Sequence, residues 1–363
     1  MSLFLAASEL QDEVALKQVF LVSQELKKKG LNCIVLAGPD SELFAYAKKS
    51  GLQVLSFNFK PSFLTTWKLR RLLQKYQAKV FHFLDEGSFE AGLKAVTRAG
   101  VPVRLATVRP EWLKNSNRLN SKHLEAIVCP NEETKKKLLK AEVTVNRIEV
   151  IPAGLDFSLY QMEKKSNFLR SELGLAADDT LAGWVTPLED LKNFKMQLEA
   201  IKLLDQQAPK LKVIIFGLGP LHLEQLRHEL PLELKNLYFY LGFEDKNAEV
   251  FSSLDLFVFG DYSLPEDLML KAMVRKVPVI GIMAQSRSEL LLHRETGYLA
   301  PPNDPQALAQ AVLKVYLDRS LAQSLSQQAY QLVYNRHSCE AMAQKLANFY
   351  ELVALQKGVK LGR

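Results

Sequence analysis

The stretch from Leu256 to Gly281, LFVFGDYSLPEDLMLKAMVRKVPVIG, constrains the fold more than any other part of the chain. It reads as an apolar strand, a polar loop, a short amphipathic helix and a second apolar strand. Val277-Pro278-Val279-Ile280 runs apolar without alternation, as suits a parallel strand covered on both faces. In a doubly wound sheet, ligands bind beyond the carboxyl ends of the strands. The loop from Asp261 to Asp267 is such an end. The helix N-terminus after it offers free backbone N–H groups to an anion.

The same strand-then-helix unit recurs in two series. The first has strands at Leu3–Ala7, Cys33–Ala37, Val54–Phe57, Val80–Leu84, Val103–Val108, Ile127–Cys129 and Ile148–Pro152, with helices such as Leu16–Lys29, Leu64–Tyr76 and Phe89–Ala99 between them. The second has strands at Leu181–Val185, Val213–Gly217, Leu237–Leu241, Leu256–Gly260, Val277–Ile282 and Tyr298–Ala300, with helices such as Phe194–Leu204 and Pro220–His228. Such alternation predicts the α/β class, with parallel sheets covered by helices on both faces. Two series predict two Rossmann-like domains facing a cleft, and 363 residues are natural for two cores. The turn-rich stretch Pro152-Ala153-Gly154-Leu155-Asp156 marks the join, giving domains 1–155 and 156–338. Beyond Asn303 the chain reads as helical, with Asp304 as a cap and Pro305 in the first turn. A last helix, Cys339 to about Gln356 within 339–363, is expected to pack back on the first domain.

Composition narrows the class of protein. The chain is 48% hydrophobic and 24% charged, and no apolar run is long enough to span a bilayer. The start, MSLFLAASELQDE, lacks the basic region of a secretory signal, so a cytoplasmic location is expected, or one at the inner face of a membrane. Cys33 and Cys129 lie in apolar strands and read as inert buried thiols. A net charge of +7 points to an anionic partner: nucleic acid, a membrane surface or a phosphorylated small molecule. The bases concentrate at Lys27–Lys29, Lys68–Lys75 and Lys135–Lys137, where solvated helix faces are the ordinary reading. The segment Thr66–Leu73 fits either an anionic membrane or an amphipathic helix lying on a sheet. No strand face interleaves aromatics with bases, so nucleic acid is not expected.

Several positions carry chemistry beside a plain structural alternative. Gly217 and Gly219 close a strand and open a helix, which suits either a phosphate site or a simple turn, since His222 stands where a third glycine would be. Lys192-Asn193 opens the helix after Leu181–Val185. A lysine there suits a diphosphate or is an ordinary surface residue. His82, near a strand end, suits contact with a substrate hydroxyl or a satisfied structural role. Asp85 and Glu86 beside it suit ligand binding or helix capping. Motifs for zinc, for a P-loop, for a serine nucleophile and for an Asp-x-Asp metal site are all missing, so no metal or cofactor is expected.

With these pieces in order, the chain resembles the GT-B glycosyltransferases, most closely the retaining family 4. Val150-Ile151-Pro152-Ala153-Gly154-Leu155-Asp156 is similar to that family's interdomain signature. Lys192-Asn193, Gly217-Leu218-Gly219-Pro220, Leu241-Gly242-Phe243, Ala272-Met273, Pro278-Val279-Ile280-Gly281, Glu289 and Thr296-Gly297-Tyr298-Leu299 resemble its second-domain pattern. His82 and Ala126–Glu132 resemble first-domain segments. The resemblance implies a metal-independent retaining transferase with a nucleotide-sugar donor on the second domain and a glycan or lipid-linked acceptor on the first. It assigns the donor to Thr186, Lys192, Asn193, Gly217, Gly219, Phe243, Ser263, Leu268, Met269 and Lys271. It assigns the acceptor to His82, Asp85 and Arg109, and leaves His82, Glu266 and Asp267 as catalytic candidates.

The departures are equally specific. Ser263 and Lys271 stand where the family usually carries paired glutamates, and Pro187 replaces its arginine. Ser8–Glu13 replaces its glycine loop, and Arg109 a histidine. Lost glutamates remove orienting contacts, and a lost cation weakens leaving-group stabilisation. Two functional expectations follow. One is a glycosyltransferase of surface-polysaccharide or lipopolysaccharide synthesis. The other is a catalytically degenerate GT-B protein that serves as a binding or assembly partner in a glycan pathway.

Overall fold

The computed structural model describes residues 2–10, 13–109, 112, 118–143, 147–152, 154–157, 160, 166–187, 191–218, 236–239, 247–260, 266–283 and 290–361. The chain divides into two compact units, Met1–Asp156 with Arg336–Arg363, and Phe157–Asn335.

The first unit holds seven parallel strands, β1 (Ser2–Ala7), β2 (Asn32–Ala37), β3 (Val54–Ser56), β4 (Ala78–Phe83), β5 (Val103–Thr107), β6 (Ala126–Cys129) and β7 (Ile148–Val150). Their order is β3-β2-β1-β4-β5-β6-β7. The order reverses at β1, whose Phe4 pairs with Ile34 on one side and Phe81 on the other. Strand side chains alternate between faces, and both faces are covered. Leu3, Leu5 and Ala7 enter one core with Leu16, Val19 and Tyr350. Phe4 and Ala6 enter the other with Leu69, Phe81 and Phe89. That double burial explains the unbroken apolar run of β1.

The helices of this unit are α1 (Glu13–Lys28), α2 (Glu42–Lys49), α3 (Phe63–Lys75), α4 (Glu86–Arg98) and α5 (Glu132–Lys140). Side chains of Ser41, Ser62, Asp85 and Asn131 cap the last four of these. Each cap accepts a hydrogen bond from a first-turn N–H that has no partner within the helix.

The second unit repeats the plan. Its strands are β8 (Thr180–Pro187), β9 (Leu211–Leu218), β10 (Leu237–Phe239), β11 (Leu256–Phe259), β12 (Val279–Ile282) and β13 (Tyr298–Ala300), in the order β10-β9-β8-β11-β12-β13, all parallel. Its helices are α6 (Phe168–Leu173), α7 (Leu191–Gln207), α8 (Asn247–Ser253), α9 (Glu266–Val274), α10 (Pro305–Leu317) and most of α11 (Arg319–His337). Asp304 caps α10, accepting from Ala307 N at 2.9 Å.

Some elements differ from expectation. The strand expected from Val277 begins at Val279. Pro278 has no N–H to give a ladder, and its carbonyl accepts from Phe257 N at 3.0 Å. The helix expected at Pro220–His228 and the strand residues beyond Phe239 lie outside the described residues.

The last helix, α12 (Cys339–Gln356), belongs to the first unit. Its Met342, Leu346 and Tyr350 share a core with β1, β4 and α1. Gly154 lets the chain pass close by, since a Cβ there would lie 2.9 Å from Cys339 Cα. Leu155 and Ser338 form a β-bridge, and Lys17 pairs with Asp156 at 3.2 Å.

Candidate functional site

In a doubly wound sheet the binding crevice opens at the carboxyl ends of the strands, where the strand order reverses. Each unit has one such point, between β1 and β4 and between β8 and β11.

In the first unit a cavity of about 350 Å³ lies among strand ends, α1 and α12. Its wall is mostly apolar, from residues such as Leu5, Val19, Val128 and Leu346, with Gln18, His82, Thr107, Arg109 and Tyr350 as the polar members. This size and lining suit a small ligand held by a few oriented polar groups.

His82 follows the pleat of β4 onto the face of Val80 and meets α12. It is 1% exposed. Its Nδ1 lies 2.9 Å from the Tyr350 hydroxyl and its Nε2 2.8 Å from Thr107 Oγ1. Burial pushes its pKa down to about 3, so the ring is neutral and both nitrogens are engaged. Arg109, just past the end of β5, is half-buried and lines the same cavity. The structure thus brings His82 and Arg109 together.

Asp85 sits elsewhere at this strand end. Its carboxylate caps α4 through Ser88 N at 2.9 Å. It also accepts from Ser8 N at 2.8 Å, Ser8 Oγ at 2.6 Å and Glu9 N at 2.8 Å. The capping reading therefore accounts for Asp85, which fastens the turn after β1 across the strand-order reversal. Two glycines make room for this turn. A Cβ on Gly87 would fall 2.2 Å from Ser8 Oγ, and one on Gly38 2.6 Å from the Ser8 carbonyl oxygen. Glu86 reaches Arg118 at 3.3 Å.

In the second unit, Thr186 and Gly217 pair side by side at the carboxyl ends of β8 and β9. Lys192 and Asn193 occupy the first turn of α7. Leu268 and Met269 are in the first turn of α9 with side chains in the core, 4% and 0% exposed, so their side chains face away from solvent. Lys271 Nζ lies 3.0 Å from the Asp267 carboxylate, one helical turn away. Glu266 opens the same helix. Gly219, Phe243 and Ser263 lie outside the described residues.

Sequence reasoning missed three residues. Tyr350 and Thr107 complete the His82 chain. The spacing Met342, Leu346, Tyr350 marks one apolar helix face, on which the only hydroxyl was the available signal. The third is Gln197 on α7, which is fully buried. It accepts from Trp184 Nε1 at 2.6 Å and donates to the Gly260 carbonyl at 3.1 Å. It ties β8 to Gly260, just past the end of β11. No motif signals it.

The geometry defines two Rossmann-like units, each with a reversal of strand order and the first with a cavity beside it, and comparison identifies the class. Residues 17–159 match the family model Glycosyltransferase Family 4, and residues 165–332 match Glycosyl transferases group 1. The chain belongs to the GT-B glycosyltransferases.

An uncharacterized glycosyltransferase of Methanocaldococcus jannaschii is 28% identical over 244 residues, covering 66% of this chain and 60% of that protein. The capsular polysaccharide biosynthesis glycosyltransferase CapM of Staphylococcus aureus is 21% identical over 350 residues, 90% of this chain and 91% of the relative. Several other curated relatives are matched over about half their length. The structure of Anabaena HepE with UDP superposes with a TM-score of 0.67 at 20% identity, covering 96% of this chain and 99% of that one. The same protein has been solved with UDP-glucose. At this identity the likeness speaks to the fold.

Proposed function

We propose that this protein transfers a sugar from a nucleotide-sugar to a glycan or lipid-linked acceptor, retaining the anomeric configuration, in surface-polysaccharide or lipopolysaccharide synthesis. The observation that carries this reading is the pair of switch-point units, each matched by its own glycosyltransferase model. The ligands of HepE and the role of CapM in capsule synthesis support a nucleotide-sugar and a surface glycan.

The donor diphosphate would lie at the N-termini of α7 and α9, with Lys192 neutralising the leaving group. Thr186, Asn193, Gly217, Gly219, Phe243 and Ser263 would complete the donor side. The acceptor would enter the cavity of the first unit, with Arg109 as its cation. His82, neutral and held at both nitrogens, would position the acceptor wall rather than take a proton. Asp267 and Glu266 remain the acidic groups for the sugar. A cytoplasmic protein working at the inner membrane face would meet both substrates.

A thermal-shift and hydrolysis screen against nucleotide-sugars tests this, because a ligand that binds the native state raises Tm. Stabilisation by one donor, with turnover lowered at least tenfold in Lys192→Ala, is expected. No binding and no hydrolysis across the panel would overturn the reading.

A second reading, a binding or assembly partner that has lost catalysis, draws on one observation. The Lys271–Asp267 pair neutralises two charged groups of α9, and in the sequence Pro187 and Ser263 stand where the family carries an arginine and a glutamate. Nucleotide binding without turnover, in the presence of a competent acceptor preparation, would favour it.

A further inference from the structure

We infer that the N-terminal half of α3, with the basic residues around it, is a docking surface for an anionic lipid bilayer. Three large apolar side chains stand in solvent there. Phe63 is 78% exposed, Leu64 64% and Trp67 47%. They are not loosely placed. Ser62 caps the helix, accepting from Thr65 N at 3.0 Å, and Thr65, Leu69 and Leu73 bury the opposite face. The exposed trio therefore points away from the core on a fixed helix. Exposed apolar clusters rimmed by charge mark interaction sites.

Charge identifies the occupant. From Leu43 to Leu84 the chain has no Asp or Glu and eight Lys or Arg. The rest of the chain holds 39 basic and 40 acidic residues, so the whole net charge of +7 originates in this one segment. Lys60, Lys68, Arg70, Arg71 and Lys75 are all exposed beside the apolar trio. Arg71 lies 4.7 Å from the Trp67 ring centroid, so cation and aromatic are presented together. Apolar groups flanked by Lys and Arg are the chemistry that inserts at the headgroup boundary of an anionic leaflet. A second copy of this chain would bring the same bases against each other. Among the described residues no helix is long and apolar enough to cross a membrane, and docking through α3 is peripheral.

The inference is independent of the donor reading, since docking needs no nucleotide-sugar. The test is flotation of the full chain with vesicles of phosphatidylcholine alone or mixed with phosphatidylglycerol. Binding to the mixed vesicles only, weakened by salt, is expected. Trp112 and Trp184 are buried, so a blue shift of tryptophan emission on binding reports Trp67. The triple variant Phe63→Ser, Leu64→Ser, Trp67→Ser and the double variant Lys68→Glu, Arg71→Glu should each lower partitioning tenfold or more. Lys136→Glu with Lys137→Glu on α5 should leave it unchanged. Circular dichroism of each variant separates lost docking from lost fold. No binding to mixed vesicles, binding insensitive to both α3 variants, or a homodimer dissolved by the triple variant would overturn the inference.

Discussion

The hydroxyl of Tyr350 lies 2.9 Å from Nδ1 of His82, a contact between groups 268 residues apart. It joins the last helix to the middle of the first sheet, and Thr107 extends it at the other ring nitrogen. Both rings are essentially unexposed. Removing one partner of a buried hydrogen bond leaves the other unsatisfied. Tyr350→Phe should therefore cost about 1–3 kcal/mol, read as a lower urea midpoint. Tyr350→Ala adds a cavity and should cost about 3–5 kcal/mol.

The same burial makes stability depend on pH. His82 is pushed down to about 3 by burial, and His337 to about 4 by burial together with Lys345 and Arg336. Both folded values lie below the unfolded value near 6.5. As pH falls below about 6.5 the unfolded chain binds protons that the native chain refuses, so stability declines. The decline should run from about pH 6.5 down towards 4 for His337 and towards 3 for His82. Urea midpoints measured at intervals between pH 7.5 and 5 check this. His82→Gln should flatten the slope, whatever it does to the midpoint at neutral pH.

What was legible in the sequence follows from how each feature is encoded. Doubly covered strands such as Leu3–Ala7 and Leu256–Phe259 announce themselves as apolar runs, and local caps such as Asp304 are written in adjacent residues. The two-unit plan followed from these alone. The partners of His82 were not legible, because Thr107 and Tyr350 meet it only after three elements assemble. Gln197 was hidden for the same reason. Asp85 admitted two readings until Ser8 arrived from the neighbouring strand. Local signals carried the fold, and long-range hydrogen bonds carried the detail of the site.

Burial also silences the thiols. Cys33 and Cys339 are pushed up to about 12 and Cys129 to about 11, chiefly by burial. Thiolate is the reactive form, so native protein at pH 8 should react with a disulfide reagent at least tenfold more slowly than unfolded protein. Rapid native labelling of any of the three would contradict these environments.

Gln197 and Gly260 should behave as one unit. Gln197→Leu strands the Trp184 indole N–H and the Gly260 carbonyl, at a cost of about 2–4 kcal/mol. Gly260→Ala places a Cβ 2.3 Å from the Gln197 Oε1 and should be destabilising on its own. In the double variant Gln197→Ala, Gly260→Ala the contacts with Gln197 are gone, although the new Cβ still lies 2.9 Å from Trp184 Nε1, and the loss should be smaller than the sum of the single losses. Urea denaturation of the four proteins measures that coupling. Strict additivity would mean that Gly260 is not held by Gln197.

Asp85 separates a structural role from a ligand-binding one. Its carboxylate satisfies Ser8 N, Ser8 Oγ, Glu9 N and Ser88 N. Asp85→Ala removes a helix cap and the fastening of the first turn together, and should cost about 2–3 kcal/mol. Asp85→Asn keeps an acceptor oxygen for the cap, since Asn is as good an N-cap as Asp. It should retain most of the stability while loosening the Ser8 turn. Hydrogen exchange gives the readout that stability alone does not. The Ser8 and Glu9 amides should exchange faster in both variants, whereas the Ser88 amide should do so only in Asp85→Ala. If Asp85→Asn instead leaves all three amides protected and abolishes acceptor binding, Asp85 contacts the acceptor, and its four hydrogen bonds are incidental to function.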